Sequence, residues 1–385
     1  MIITIIIFVA ILSLLIFVHE FGHFWTARRF SVRVDEFGFG LPPRILGLQK
    51  IGKKLKVTFG NRPIEDTEPT IYSLNWIPIG GFVRIKGENG GLAEQKDSFP
   101  SKKIWQRIII ISAGVIMNVI LCIVLLSIGY AVGMPGLAEG QSKYAKISDP
   151  ALQVVEIVPD SPAQKAGIAI GDKIMEVNGE KIESLESLQS SLSDKENQNV
   201  EIAVRRNNKN ISLQVVPAEI NDRTGIGVAL VNVAKVRFPL IIAIWQGIKT
   251  TFIWIWLIVS ALAMIIKNLI IQKPLGVDLS GPIGIAVMTG QAASLGWVYL
   301  LQFAALLSIN LAIINILPFP ALDGGRILFL IVEKFRGRAM KQKWENLANN
   351  IGFLLLLALI IAVSFRDVLI YGDRILSVFK GILGA

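Results

Sequence analysis

Charged residues and cysteine are scarce in this chain of 385 residues. Charged residues make up 18% of it, against about 25% in ordinary soluble domains, while hydrophobic residues make up 52%. This composition excludes an ordinary soluble protein and indicates an integral membrane protein with a soluble insert. The single cysteine, Cys122, has no partner cysteine in the chain, so intrachain disulfides and cysteine metal clusters are excluded.

Histidine is equally scarce, and the two histidines lie in one pentapeptide, His19-Glu20-Phe21-Gly22-His23. This pentapeptide ends an apolar run that begins at Met1. Residues four apart share a helix face, so both imidazoles can bind one ion while Glu20 stands beside it. The pattern is the HExxH arrangement, in which the glutamate is a general base. Because ionisable residues are costly inside a membrane, the pattern predicts a functional site for one Zn²⁺ ion per chain.

The net charge of +10 is distributed unevenly, since the basic residues concentrate beside apolar segments. Residues 27–103 hold fourteen Lys/Arg against eight Asp/Glu, and the segment after residue 323 is also basic. This distribution favours a membrane protein whose basic loops are cytoplasmic over a protein that binds nucleic acid. We therefore expect the lipid bilayer, and no nucleic acid, as a partner.

At about 20 apolar residues per crossing, the chain is predicted to contain four transmembrane helices. The first run could instead be a signal peptide, but no basic residue precedes it and no small-residue cleavage site follows, so we expect a retained span. The predicted segments are transmembrane helix 1 with HEFGH (1–27), a cytoplasmic loop (28–103), transmembrane helix 2 (104–133), transmembrane helix 3 (295–318), a turn and cytoplasmic basic segment (319–346), transmembrane helix 4 (347–366) and an extracytoplasmic tail (367–385).

Residues 221–294 are predicted to hold an interfacial or re-entrant helix and a loop. The apolar stretch 238–266 is long enough to cross the membrane, but a full crossing would place the two basic regions on opposite sides. It also carries Lys249 and Gln246. We therefore expect an interfacial or re-entrant helix whose Lys249 side chain extends to the surface.

Residues 140–220 hold twelve Asp/Glu against nine Lys/Arg and no run long enough to span a membrane. Short strand-like segments separated by turns such as Asn178-Gly179 predict a soluble domain outside the cytoplasm. The stretch 160–179 closely resembles a bacterial PDZ domain, in which Ser161 caps a short helix that Gly167 ends. PDZ domains bind an extended peptide at a sheet edge. This domain either binds such a peptide or acts as a spacer that excludes large ectodomains.

Catalytic zinc usually has three protein ligands, and with no third histidine the remaining ligand must be a carboxylate. Asp323 is the best candidate because it follows the third predicted span, at the same end as the histidines. Pro318 and Pro320 cannot continue an ordinary helix, so the backbone is expected to open there and to contact substrate. Gly324 and Gly325 then allow a tight turn that aims the aspartate inward.

These features resemble the site-2 proteases, which are intramembrane zinc metalloproteases, and most of all the bacterial regulator of sigma-E protease type. The resemblance implies zinc on His19, His23 and Asp323, with Glu20 as the base. One PDZ domain is present where some relatives carry two, so substrate gating is expected to be simpler. The matching features cover nearly the whole chain: HEFGH in the first span, NxxPxxxxDG at 315–324, the PDZ segment, and the segments 78–87 and 280–284.

Two asparagines of the third span are candidate site residues. Asn315 lies eight residues before Asp323 and is expected to face the same cavity, where it would bind substrate or the oxyanion as a catalytic residue. Asn310 is a candidate substrate-binding residue. For either asparagine the alternative is an interhelical hydrogen bond that holds two spans together.

A substrate helix must unwind before it can be cut, and the freed backbone groups need partners because lipid offers none. We expect a membrane-associated β-hairpin to supply them by pairing one strand with the substrate. The alternative is an ordinary cytoplasmic hairpin. The predicted substrate-binding residues of this strand are Gly80, Gly81, Phe82, Val83 and Arg84.

The predicted fold is a polytopic α-helical membrane protein with four transmembrane helices, an inserted extracytoplasmic PDZ domain (α+β) and a membrane-associated β-hairpin. The resemblance implies cleavage within single-span membrane proteins, either an anti-sigma factor in regulated intramembrane proteolysis or a signal peptide remnant. It implies a multi-pass protein of the bacterial inner (cytoplasmic) membrane, with the active site toward the cytoplasmic side. Two alternatives remain: a membrane-anchored PDZ adaptor with a non-catalytic zinc site, and a zinc enzyme that acts on lipids or small molecules.

Overall fold

The computed structural model describes the whole chain except residues 1, 61–68, 89, 138–141, 183, 207–208, 221–222, 274–279, 339 and 384–385. The chain divides into two compact units. The first comprises Met1–Leu125, Ile248–Gln291 and Phe303–Ala385, and the second comprises Leu126–Gly247 and Ala292–Gln302.

Helices form most of the first unit, and two short helices, α3 and α4, lie in the second. The helices of the described residues are α1 (Ile2–Arg29), α2 (Ile104–Val132), α3 (Pro162–Lys165), α4 (Leu185–Ser193), α5 (Leu240–Ile270), α6 (Pro282–Leu295), α7 (Trp297–Ile316), α8 (Asp323–Arg336) and α9 (Gln342–Leu383). The four predicted spans coincide with α1, α2, α7 and part of α9. By length and composition α5 is a fifth candidate in the described part of the chain, so the count of four spans is not confirmed.

The apolar stretch that contains Lys249 is predicted as an interfacial or re-entrant helix, and it is helical in the structure. It belongs to α5, an unbroken helix of 31 residues, which fits an interfacial helix and contains no break of the kind that a re-entrant segment needs. Near the start of α5, the Phe238 N–H donates to the Tyr130 carbonyl of α2 over 2.9 Å. Further along, Thr251 Oγ1 lies 3.5 Å from Cys122 Sγ of α2. Lys249 is exposed on the helix surface, so its charge does not interrupt the helix.

The predicted extracytoplasmic tail is also helical. α9 continues without a break to Leu383, and only the last two residues of the predicted tail lie outside the described part. Asp367 is 1% exposed, and its carboxylate accepts the N–H groups of Gly281 (3.2 Å) and Gly284 (2.7 Å) at the start of α6. These bonds satisfy N–H groups that the start of α6 leaves free. Asp367 therefore connects α9 to α6 and does not end α9.

Between α1 and α2 the chain forms a three-stranded antiparallel sheet, which is larger than the predicted hairpin. Its strands are β1 (Val34–Ile51), β2 (Lys54–Phe59) and β3 (Ile71–Ile85), in the order β2-β1-β3. β1 folds back on itself, because Tyr72 of β3 is opposite both Phe37 and Leu48. Phe37 is also opposite Val83. Among the described residues, the C-terminal half of β3 therefore pairs with β1 on one side only and lies at an edge of the sheet, and we call this half (Gly80–Ile85) the edge strand.

This sheet has inverted polarity: its buried side chains include polar groups, while large apolar side chains are exposed. Arg44 donates to both carboxylate oxygens of buried Glu36 over 2.8 Å, which compensates two charges removed from water. Ser73 and Asn75 are buried as well. A face this apolar requires apolar surroundings. The exposed apolar side chains of the sheet include Phe39, Leu41, Leu48, Leu55, Val57, Phe59, Tyr72, Leu74 and Trp76.

The second unit contains the PDZ-like segment. Its strands are β4 (Met134–Leu137), β5 (Lys146–Ile157), β6 (Lys173–Val177), β7 (Glu180–Lys181), β8 (Val200–Arg206), β9 (Lys209–Val215), β10 (Ala218–Ile220), β11 (Arg223–Gly225) and β12 (Val228–Arg237). Seven of them form one sheet in the order β4-β12-β5-β6-β8-β9, with β7 beside β6, and β10 pairs with β11.

The predicted boundaries of this domain, 140–220, are too narrow. β12 pairs along β5 and completes the sheet, although it lies in an apolar stretch that leads directly into α5. The predicted helix start is confirmed, since Ser161 Oγ accepts the Gln164 N–H over 3.3 Å. Gly167 follows that helix with a φ of +81°.

Candidate active site

The two histidines of α1 lie side by side. Both are buried, and their Nε2 atoms are 3.2 Å apart. Asp323 Oδ2 lies 3.0 Å from His19 Nε2 and 3.5 Å from His23 Nε2. The structure therefore brings together the three side chains that the sequence predicted as ligands.

A tight corner between α7 and α8 aims Asp323 at α1. Pro318 and Pro320 lie in this corner, beyond the last residue of α7, and Asp323 is the first residue of α8. A side chain on Gly324 would collide with carbonyl oxygens at the end of α7. Only glycine therefore lets α8 start this close to α7, which places the aspartate beside the histidines.

Glycine residues also bring α2 close to the imidazoles. A Cβ atom on Gly114 of α2 would lie 2.7 Å from His19 Cε1 and 2.8 Å from His19 Nε2, and would collide with His23. Likewise, a side chain on Gly22 of α1 would collide with the Ala113 backbone. These two positions leave room for the rings, and for an ion between them, where ordinary side chains would fill the space.

The other ring nitrogens of both histidines have partners on α2. His23 Nδ1 lies 2.9 Å from the Ile110 carbonyl, to which a protonated Nδ1 donates. His19 Nδ1 lies 3.4 Å from the side-chain nitrogen Nδ2 of Asn118. Ser308 Oγ donates to the backbone carbonyl of Asn118 over 2.8 Å. The His23 contact leaves Nε2 of that ring unprotonated and free to coordinate, and the Asn118 contact holds the His19 ring in its orientation.

The donor set fits zinc. One ligand atom from each of His19, His23 and Asp323 lies within 4.8 Å of the other two. Asp323 Oδ2 is buried and makes no hydrogen bond of ordinary geometry among the described residues. A buried carboxylate oxygen facing two imidazole nitrogens needs compensation, which a shared dication supplies. Two imidazoles and one carboxylate also form a known donor set of catalytic zinc sites.

Glu20 and Asn315 lie beside the candidate ligands. Glu20 is half-buried, and its carboxylate is close enough to interact electrostatically with both histidines and Asp323. Asn315 Nδ2 lies 3.4 Å from His19 Nε2. Asn310, predicted as a substrate-binding residue, donates its amide to the Leu306 carbonyl of its own helix over 2.8 Å, and its role stays a prediction. Asn315 therefore contacts the ligand cluster, while the described hydrogen bond of Asn310 lies within α7.

The predicted substrate-binding residues Gly80, Gly81, Phe82, Val83 and Arg84 lie in β3, where the strand packs on α1. A Cβ atom on Gly80 would lie 2.6 Å from Ile16 Cγ2, and one on Gly81 would lie 3.3 Å from Phe17 Cδ2. The edge strand therefore runs against the same helix that carries the histidines.

Comparison with known proteins identifies the family. The family model of peptidase family M50 matches residues 7–359. The chain belongs to this family. A Clostridium perfringens protein named as a zinc metalloprotease is 33% identical to this M50 peptidase, over 93% of this chain and 96% of its own length. RasP of Bacillus subtilis, named a regulator of sigma-W protease, is 29% identical over 95% of this chain and 98% of its own length.

Solved structures of PDZ domains are similar to part of the chain. A PDZ domain from Listeria monocytogenes covers 22% of this chain and 92% of its own length, with 23% identity and a TM-score of 0.20. The family and its named relatives show that this M50 peptidase is a zinc metalloprotease of the site-2 protease family, as the sequence predicted. With its long apolar helices, it is an integral membrane protein.

Sequence reasoning missed the contribution of α2. Gly114 and Asn118 form one wall of the site, but both lie in an apolar span with no motif. The only available signal was Asn118 itself, because a polar residue within a span needs a partner. Nothing in the sequence alone could show that this partner is a histidine of α1.

Replacing Asn118 with alanine in this M50 peptidase is expected to weaken zinc binding by about 10–100-fold, as for other contacts that orient a metal-binding histidine. The change removes the amide that contacts His19 Nδ1. Zinc affinity is measured by competition with a chelator. The matched control is Asn310→Ala, which removes an amide bonded within α7. Equal zinc affinity in the two variants would contradict the role of Asn118.

Proposed function

We propose that this M50 peptidase cuts peptide bonds inside the transmembrane segments of single-span membrane proteins, with His19, His23 and Asp323 as zinc ligands. The observation that carries this proposal is the convergence of the three side chains beside Glu20. Cleavage of a tagged single-span substrate by purified protein in liposomes tests it. If the purified protein binds zinc but cuts no transmembrane segment, the alternative of a membrane-anchored PDZ adaptor with a non-catalytic zinc site is supported instead.

The chain supplies a base and a donor for peptide hydrolysis. When bound, zinc polarises the scissile carbonyl and activates the water nucleophile. Glu20 accepts a proton from the attacking water and later returns it to the leaving amine. Asn315, whose amide reaches the ligand cluster, donates a hydrogen bond to substrate or to the oxyanion that develops on the carbonyl oxygen.

We propose that the unwound substrate adds as a further strand to the open edge of β3. Among the described residues no strand pairs with that edge. The Lys86 N–H donates to the Arg33 carbonyl over 3.0 Å, toward the β1 side. Because N–H groups alternate in direction along a strand, those of Val83 and Gly81 then face the open edge. They can donate to a substrate whose own helical hydrogen bonds have been broken.

Replacing Val83 with proline is expected to lower cleavage by about 5–150-fold, which corresponds to the cost of about 1–3 kcal/mol for losing one backbone hydrogen bond. Zinc content should be unchanged, because Val83 is not a candidate ligand. Turnover of a single-span peptide and zinc content are measured on the same samples. Val83→Ala, which keeps the N–H, is the control. Equal losses in the two variants would contradict strand addition.

We propose that the active site opens toward the cytoplasm of a bacterial cell, in the inner membrane. The histidines lie near the C-terminal end of α1, and Asp323 lies just beyond the C-terminal end of α7. Their contact therefore supports placing the basic segments that follow both helices on one side, which the positive-inside rule makes cytoplasmic. The apolar outer face of the sheet 34–85 supports its association with the membrane.

We propose an anti-sigma factor or a signal peptide remnant as the substrate. RasP, which is named for the regulation of sigma-W, aligns over nearly the whole chain and so supports the first of these. Both are single-span membrane segments that present little bulk outside the membrane. A substrate of this kind suits a protein whose soluble domain excludes large ectodomains.

We propose that the PDZ-like domain lies outside the cytoplasm and binds an extended peptide at β12. β5 pairs with one side of this strand from Val228 to Arg237, while β4 covers the other side only from Val233 to Val236. Among the described residues, 228–232 therefore have no strand on that side, and a peptide can add there. If no peptide binds there, exclusion of large ectodomains remains as the role of the domain.

A further inference from the structure

The edge strand is fixed at its start by Ser13 of α1. Ser13 is 3% exposed, and its hydroxyl donates to the Pro78 carbonyl over 2.7 Å while it accepts the Gly80 N–H over 3.2 Å. One side chain thus bridges the two residues on either side of Ile79. Gly80 has a φ of +74°, a conformation that costs little only for glycine. The hydroxyl therefore holds a specific bend at the point where the edge strand begins.

The same strand is fixed at its end by α8. Glu88 follows the end of β3 by three residues, and its carboxylate forms an ion pair with the Arg326 guanidinium. Both side chains are partly buried: that of Glu88 is 19% exposed and that of Arg326 is 32% exposed. Arg326 lies three residues after Asp323 on α8, so the two side chains are neighbours on that helix.

The two anchors connect the edge strand to the two helices that carry the candidate zinc ligands. Ser13 lies six residues before His19, about 9 Å along α1, and Arg326 lies one turn after Asp323. We propose that Ser13 and the Glu88–Arg326 pair are positioning residues that fix the edge strand relative to the zinc ligands, and thereby set which peptide bond is cut. This inference rests on the proposed strand addition.

Strand geometry explains why a small displacement matters. Successive residues of a strand are about 3.3 Å apart, and their side chains alternate between faces. A substrate paired with a displaced strand therefore places a different peptide bond beside the zinc ligands and Glu20. Loss of an anchor should broaden or shift the cut while the ligands stay in place.

The experiment maps the cut. Ser13→Ala, Arg326→Glu and the swapped pair Glu88→Arg/Arg326→Glu are purified with wild type, and products of one single-span peptide are identified by mass spectrometry alongside zinc content. Ser13→Ala and Arg326→Glu should keep zinc, lose about tenfold in turnover and cut at neighbouring bonds. The swapped pair should restore much of the wild-type pattern. Thr289→Val is the matched control, since it removes a buried hydroxyl that bonds the Ile285 carbonyl of its own helix.

Product from the wild-type bond alone in Ser13→Ala, at any turnover, overturns the inference. Loss of zinc, or a zinc-loaded variant that yields no product, also overturns it, because the residue would then maintain the site and not the position of the strand. Val83→Pro is run in parallel to separate the two proposals. If Val83→Pro cleaves like wild type, strand addition itself fails. If Val83→Pro is impaired while Ser13→Ala keeps the wild-type cut, only the positioning role fails.

Discussion

Glu20→Gln is expected to lower turnover of a transmembrane substrate by about 10²–10⁴-fold, the usual contribution of a general acid–base group. Glutamine has nearly the same shape as glutamate but cannot accept the proton of the attacking water. Glu20 lies beside the three candidate ligands and is not itself one of them. Zinc content should therefore remain at the wild-type level.

This variant separates an enzyme from a binding protein. Turnover and zinc content are measured for wild type and Glu20→Gln in the same liposomes. Glu94→Gln, which changes an exposed acid outside the site, is the matched control and should cleave like wild type. Wild-type turnover in Glu20→Gln would remove Glu20 from the chemistry. Loss of zinc in that variant would instead make Glu20 part of the metal site.

Asp323→Ala is expected to weaken zinc binding by more than about 100-fold, beyond the range for contacts that only orient a ligand. The change removes one of three ligand atoms that lie within 4.8 Å of one another. Two imidazoles on one helix face remain, and they cannot complete a three-ligand catalytic site. Cleavage should fall to background together with the zinc.

The combination of losses distinguishes Asp323 from Glu20, because only Asp323→Ala should lose both zinc and cleavage. Zinc affinity is measured by chelator competition. Glu333→Gln is the control on the same helix, where Glu333 pairs with Arg107 over 2.9 Å and away from the ligands. Wild-type zinc affinity in Asp323→Ala would contradict the assignment of the third ligand.

The candidate ligands could be predicted because each has a local cause in the sequence. The four-residue spacing of His19 and His23 fixes a common helix face. The third ligand was found by elimination, and the prolines and glycines around Asp323 marked a corner that the structure contains. The wall formed by Gly114 and Asn118 could not be predicted, because helix packing decides which residues of an apolar span face a neighbour.

The sheet between α1 and α2 shows a second limit of sequence reasoning. Alternation of polar and apolar residues predicts strands, but it does not state which face is buried. Here Glu36 and Arg44 are buried as a pair, while large apolar side chains such as Leu74 and Trp76 are exposed. The same alternation at the edge strand identified Gly80–Arg84 correctly as β structure, whereas the fold-back of β1 follows from long-range pairing that sequence spacing does not encode.

The membrane position of the apolar stretch around Lys249 stays a prediction for a related reason. A single lysine in an apolar segment was taken as evidence for a helix that re-enters or lies at the surface. In the structure its side chain points outward from a continuous helix. A long lysine side chain can extend toward water along an apolar surface, so one charge does not decide how deeply a helix inserts.

The most direct test of the central claim is to locate the bond that is cut. A single-span substrate is reconstituted with purified protein in liposomes, and the masses of its products are determined for wild type and Glu20→Gln. We predict cleavage within the apolar span by the zinc-loaded wild type, and none above background by Glu20→Gln. Cleavage only outside the span, or equal cleavage by both proteins, would contradict the assignment of an intramembrane protease centred on Glu20, His19, His23 and Asp323.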